Sequence, residues 1–126
     1  MRTVLFPVLV GLTLAFVAST ATFAAEPAVA RVVVVQTDNA DAYIKELARG
    51  QELLQKMQSP AKIHAWRARF AGPEAGSVVV TVEYPNIAAL ASDDAKIAAS
   101  EEYRAWIKGL DKLRKIVSDS LYEQLR

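Results

Sequence analysis

The chain has 126 residues, with 15 Lys and Arg against 14 Asp and Glu, one His and no Cys. The missing cysteine rules out a disulfide framework and thiolate chemistry. The near balance of charge argues against a nucleic-acid binder, which carries a basic excess or stripe.

In chain order, the opening residues read as an address rather than a fold. Arg2 and the amino terminus form a short positive region, Val4–Val17 an apolar one, and Ala18–Ala25 a run of mostly small residues. A signal peptide over residues 1–24 is expected, with Thr22 and Ala24 at the two small-residue positions before the cut. Ala28-Val29-Ala30 is a second candidate, further from the apolar segment. An uncleaved anchor is the alternative, because no charge interrupts Thr3–Ala25. Pro7, Gly11 and the terminal small residues favour cleavage. The expected location is periplasmic or secreted, with no membrane contact after cleavage. Residues 25–30 form a flexible lead-in, and residues 31–126 make one small domain held together by packing alone.

Arg31–Gln36, RVVVVQ, is β-branched, too short for a helix and apolar on both faces, which suits a central strand. Asp38, Asn39 and Asp41 then start a helix reaching about Met57. Its apolar side holds Ile44, Leu47, Ala48 and Leu54, with Gly50 a modest weakness, and Ser59-Pro60 stops it. KIHAWRARF, Lys62–Phe70, is a more polar second strand. It is joined through the turn cluster 71–76 to the valine-rich Ser77–Tyr84 as a hairpin. Asn86 caps a short helical turn over 87–90, and Ser92-Asp93-Asp94 starts another. Ser100 with Glu101 and Glu102 opens the second long helix, striped by Tyr103, Trp106, Ile107, Leu110 and Leu113. Propensity would carry that helix onward. Topology instead assigns a strand from Ile116 or Val117, because β-α-β-β-α is completed by a fourth strand in a ferredoxin-like domain. The expected fold is α+β, βαββαβ, with a four-stranded antiparallel sheet of order 4-1-3-2.

With this element order and the pattern AWRARFAGPEAG, SVVVTVEYPNIAAL, SEEYRAWIKGL and SDSLYEQL, the chain resembles the dimeric α/β-barrel superfamily. That group includes the antibiotic-biosynthesis-monooxygenase, NIPSNAP-like and stress-responsive barrel families. The resemblance covers about Arg31 to Arg126 and is topological more than chemical. It implies a homodimer with sheets face to face and a pocket between sheet and helices or within the barrel. The superfamily holds cofactor-independent oxygenases, haem degraders and proteins of no assigned activity, so fold does not decide function.

The candidate ligand-binding residues are His64, Trp66, Arg67, Arg69, Thr81, Glu83, Tyr84 and Trp106. Matching the even faces of the two hairpin strands pairs Phe70 with Val78 and makes Arg67 and Glu83 diagonal neighbours. Arg67, Arg69, Thr81 and Glu83 then share a polar face, either a rigid dimer seam or a cleft gripping an anion. His64 reads first as a packing residue. One His and no Cys supply no metal site, and no catalytic residue is assigned. Haem degraders of the superfamily rely on an Asn, a Trp and a helix-borne His. Here neither long helix has a histidine, so no cofactor is expected. Asp93-Asp94 reads as capping, and Tyr103 and Trp106 read first as core and then as pocket lining.

The leading reading is a non-enzymatic binding or structural barrel with a small-molecule ligand. The alternative is a cofactor-independent monooxygenase acting on a small organic molecule. Arg67 bonded to Glu83 in a packed interior would favour the first. A cavity of several hundred Å³ containing His64 or Arg67 would favour the second.

Overall fold

The computed structural model describes residues 26–70 and 72–125. The expected signal peptide lies outside the described residues. Seven elements follow one another: β1 (Val29–Gln36), α1 (Ala40–Lys56), β2 (Lys62–Arg67), β3 (Val78–Tyr84), α2 (Ile87–Ala99), α3 (Glu101–Asp111) and β4 (Lys115–Glu123). The strands form one antiparallel sheet of order β2-β3-β1-β4, the ferredoxin-like arrangement expected from the sequence. The two valine-rich strands lie side by side in the middle and the two polar ones at the edges. The last segment leaves the helix after Asp111, and its backbone is satisfied by the exposed edge of β1.

Helix starts are set by side-chain caps that the sequence displays. Asn39 Oδ1 accepts from Ala42 N–H at 3.0 Å, Asn86 Oδ1 from Ala89 N–H at 2.8 Å, and Ser100 Oγ from Tyr103 N–H at 3.1 Å. At its end, α1 turns through Gln58 in the left-handed region, φ 57°, and Ser59 N–H returns to the Leu54 carbonyl at 2.9 Å.

One helix differs from the expected one. The segment expected to hold two short turns is a single helix, α2, running from Ile87 to Ala99. Ser92, Asp93 and Asp94 therefore sit inside it and cap nothing. Asp93 instead is buried, 1% exposed, and accepts a hydrogen bond from Ser59 Oγ on the loop after α1. Gly50, expected to weaken α1, is where Trp106 of α3 packs against that helix.

All three helices lie on one side of the sheet. Val33 and Val35 of β1 and Val78 and Val80 of β3 meet Tyr43, Leu47 and Leu53 of α1 and Trp106 and Leu110 of α3. A smaller cluster joins Val29, Leu54, Ala61 and Tyr84 at one end. Gln51 ties β2 to α1, accepting from Ile63 N–H at 2.7 Å and donating to the Ala61 carbonyl at 3.1 Å. These two bonds hold Ile63 toward the helices.

The hairpin register departs from the expected one. Lys62 stands opposite Glu83, His64 opposite Thr81, Trp66 opposite Val79 and Arg67 opposite Val78. Arg69 and Phe70 belong to the connecting loop, which holds a 3₁₀ turn at Gly72–Glu74 and two left-handed glycines, Gly72 (φ 56°) and Gly76 (φ 88°). An odd shift in register turns a whole strand over. His64 and Trp66 consequently point away from the helices, and Ile63, Ala65 and Arg67 point toward them. Among the described residues, no helix is long and apolar enough to cross a membrane.

Candidate functional site

The sheet and helices do not close on each other completely. Between the helix-facing side of the sheet and α2 and α3 runs a cleft of about 360 Å³, floored by Val33, Ile63, Val80 and Val82 and walled by Ile97, Trp106, Ile107 and Leu110. A second section of about 420 Å³, toward Tyr84, Leu90 and Leu121, shares Arg31, Val82, Asp94, Ile97, Tyr103 and Asp119 with the first. The two sections form one groove with a polar waist.

Strand parity places that waist. Arg31 lies on the same face of β1 as Val33 and Val35, so its side chain enters the groove from the floor. Asp119 of β4 stands opposite Val33, diagonal to Arg31 on that face. The two join by a fork of bonds, Arg31 Nε to Asp119 Oδ1 at 2.8 Å and Nη2 to Oδ2 at 2.5 Å. The hydrogen bond from Arg31 holds the Asp119 carboxyl below the usual carboxylate range, and the same bond raises the guanidinium. A β-bulge between Val34 and Val35 makes the extra residue of β4 and brings Ile116 opposite Val35, onto the same lining.

Deeper in the groove, Arg114 is the most enclosed cation. Its side chain is 10% exposed, with Nη1 donating to the Tyr43 hydroxyl at 3.1 Å and Nη2 to Asp111 Oδ1 at 3.0 Å. Tyr103 packs edge-on against Trp106, ring centres 5.1 Å apart, and burial pushes its phenol upward. The Trp106 indole N–H is taken by the Glu46 carbonyl at 3.0 Å. Burial raises the Tyr84 phenol too, reinforced by the neighbouring carboxylates Asp93 and Asp94.

The eight residues singled out in the sequence therefore separate. Trp106 and Tyr84 line the groove. His64, Trp66, Thr81 and Glu83 share the opposite, helix-free face of the sheet, where Trp66 Nε1 donates to Thr81 Oγ1 at 3.2 Å and His64 Nδ1 lies 3.9 Å from Glu83 Oε2. Arg67 ends its strand on the other face and Arg69 lies in the loop, both exposed. The expected Arg67–Glu83 neighbourhood does not form, because the loop absorbs the residues that were to continue the ladder. Neither of the tests posed from sequence comes out as framed: a cavity of the right size exists, but with Arg31 rather than Arg67 or His64 in it.

Sequence reasoning passed over Arg31, Asp94, Asp111, Arg114 and Asp119. One signal was available: Arg31 shares the parity of the buried valines in its own strand, an odd place for a charge. Among the described residues no group of three His, Cys, Asp or Glu side chains is placed to hold a metal ion.

No protein-family model matches the chain, and no curated protein matches it. Solved structures do. SnoaB of Streptomyces nogalater, described as a cofactor-independent oxygenase, is 16% identical with a TM-score of 0.58, over 79% of this chain and 95% of that one. A NIPSNAP family protein from Agrobacterium tumefaciens is 16% identical with a TM-score of 0.61, over 82% of this chain and 89% of the other. A conserved Bacteroides thetaiotaomicron protein of unknown function is 10% identical with a TM-score of 0.56, over 79% of this chain and all of its own. At such identities the likeness is one of fold, and it agrees with the strand order and helix placement described above: the chain has a ferredoxin-like α+β fold.

Proposed function

We propose that the chain is an exported, homodimeric barrel protein that binds a small organic molecule in the groove between sheet and helices. The observation that carries this reading is the groove itself. Its volume falls in the range of small-molecule sites, and its walls are apolar apart from a few polar side chains, of which Arg31 and Arg114 are held by partners. Binding is favoured over catalysis because both guanidiniums are engaged by carboxylates, and the single histidine lies on the other side of the sheet. No imidazole is therefore offered to a bound molecule as a base.

The dimer half of the reading rests on the helix-free sheet face. Trp66 is 57% exposed there and Tyr122 60%, with Val32 and Val79 between them. A sheet face that leaves these two rings open to solvent is a docking surface, and a second copy would cover it. Export rests on the apolar amino-terminal run of the sequence.

A second reading, cofactor-independent oxygenation, draws on the likeness to SnoaB and on the phenol of Tyr103 beside Arg31 at the waist. Oxygen uptake driven by a groove ligand and lost with the groove filled would establish it.

Native mass spectrometry of the protein recovered from the periplasm tests the main reading. The expected spectrum shows a dimer carrying a retained organic molecule, and Val82→Phe, which fills the floor, removes the adduct and leaves the dimer. An adduct unaffected by Val82→Phe overturns the assignment of the site. A monomer alone overturns the quaternary state.

A further inference from the structure

The groove carries an imbalance of charge. Arg31 and Arg114 face three carboxylates, Asp94, Asp111 and Asp119. Asp111 is engaged by Arg114 and Asp119 by Arg31, whereas none of the ion pairs or side-chain hydrogen bonds among the described residues involves Asp94. Asp94 stands on α2 at the waist, lining both sections of the groove. Its neighbour Asp93, one helical step round, turns the other way to Ser59, so the two carboxylates divide between a buried bond and the groove. Among the described residues that line the outer section, the charged ones are Arg31, Asp94 and Asp119, a net of one negative charge, and Asp94 is open to solvent.

We infer that the groove selects ligands with an apolar body and a positively charged amine, the amine meeting Asp94 at the waist and the body lying on the valine floor. This rests on the groove being the ligand site, and it names the chemical class that site takes. An anionic ligand meets guanidiniums that already each hold a carboxylate, Asp119 on Arg31 and Asp111 on Arg114, and has to share or displace it. An ammonium meets a free carboxylate with no bond to break. The apolar walls supply affinity without regard to charge, and Asp94 supplies the choice among head groups.

Calorimetric titration of the full chain at low ionic strength with 1-naphthylmethylamine, 1-naphthalenemethanol and 1-naphthoate tests this, since the three share one ring and differ in head-group charge. The amine is expected to bind about fivefold tighter than the alcohol, near the upper end for a partly exposed ion pair, and the carboxylate weakest of the three. Asp94→Asn closes the gap between amine and alcohol. Asp94→Glu keeps the gap, which guards against a folding defect at that position. A carboxylate that binds as well as the amine, or a gap that survives Asp94→Asn, overturns the inference and leaves the groove as a site. Failure of all three probes to bind, or binding untouched by Val82→Phe, overturns the groove reading together with the inference.

Discussion

The indole of Trp106 lies directly on Gly50: a β-carbon at that glycine would overlap Cζ2 and Cη2 of the ring. Two helices distant in sequence thus touch through a missing side chain. The ring is fixed there by its N–H bond to the Glu46 carbonyl one turn earlier in α1.

Gly50→Ala is expected to destabilise the protein despite the better helix propensity of alanine. The gain from propensity is about 1 kcal/mol. Forcing a buried indole out of its seat costs about 1–3 kcal/mol from overpacking alone, and the ring also loses its geometry toward Glu46. Thermal unfolding should show Tm several degrees lower, whereas a Tm at or above that of the parent would contradict the close contact. Because Trp106 also walls the groove, the same variant should weaken ligand binding.

Asp119 gives a prediction at acid pH. Its carboxyl is depressed in the fold by the bond from Arg31, so the folded state favours the ionised form more than the unfolded chain does. The pair's contribution is then present above the ordinary carboxylate pKa and fades as pH falls through the depressed value. Asp119→Asn should lower Tm slightly at neutral pH, and the difference from the parent should vanish in strong acid. Both side chains are substantially exposed, 55% and 35%, so the effect is small and is screened by salt. A difference that is constant across pH would assign the loss to packing instead.

Tyr84 answers at the alkaline end. Its phenol is raised by burial first and by Asp93 and Asp94 beside it second. The unfolded chain ionises its tyrosines near pH 10, so the folded state holds protons that the unfolded state has lost. Stability must fall as pH rises from there toward the folded value. Tyr84→Phe removes one such proton, and urea titrations should show a shallower decline above pH 10 than in the parent. An equal slope would place the phenol in contact with water.

Trp66→Glu tests the helix-free face. The residue is exposed in the protomer, so a charge there leaves the fold intact and acts on association. Sedimentation of the parent should give a dimer and the variant a species of monomer mass, with matching far-ultraviolet circular dichroism for both. A variant that stays dimeric would move the seam elsewhere.

Much of the architecture was legible from residues 31–126 because it rests on local and averaged properties. Runs of valine, capping residues before apolar stripes, and the contrast between apolar and polar strands are each written in a few neighbouring positions. Together they gave the order and centrality of the first strands; the last strand, expected from Ile116 or Val117, came instead from completing the topology against local helical propensity, and it runs from Lys115 to Glu123. The groove was not legible in this way. Its key residues come from β1, α2, α3 and β4, and apart from the parity of Arg31 each alone looks ordinary: a helix acid, an edge-strand aspartate.

What the chain settles by itself is most of the elements, since hydrophobic period and capping chemistry act within a few residues, although they did not join Ile87–Ala99 into one helix. What only the tertiary structure decides is the side of the sheet on which each polar group falls. That depends on register, and register here turned on how many residues the loop after Arg67 removes from the ladder. A displacement by an odd number exchanges inside for outside along a whole strand. It sent His64 and Trp66 to the helix-free face, while the pairing of β1 with β4 brought Arg31 and Asp119 together in the groove.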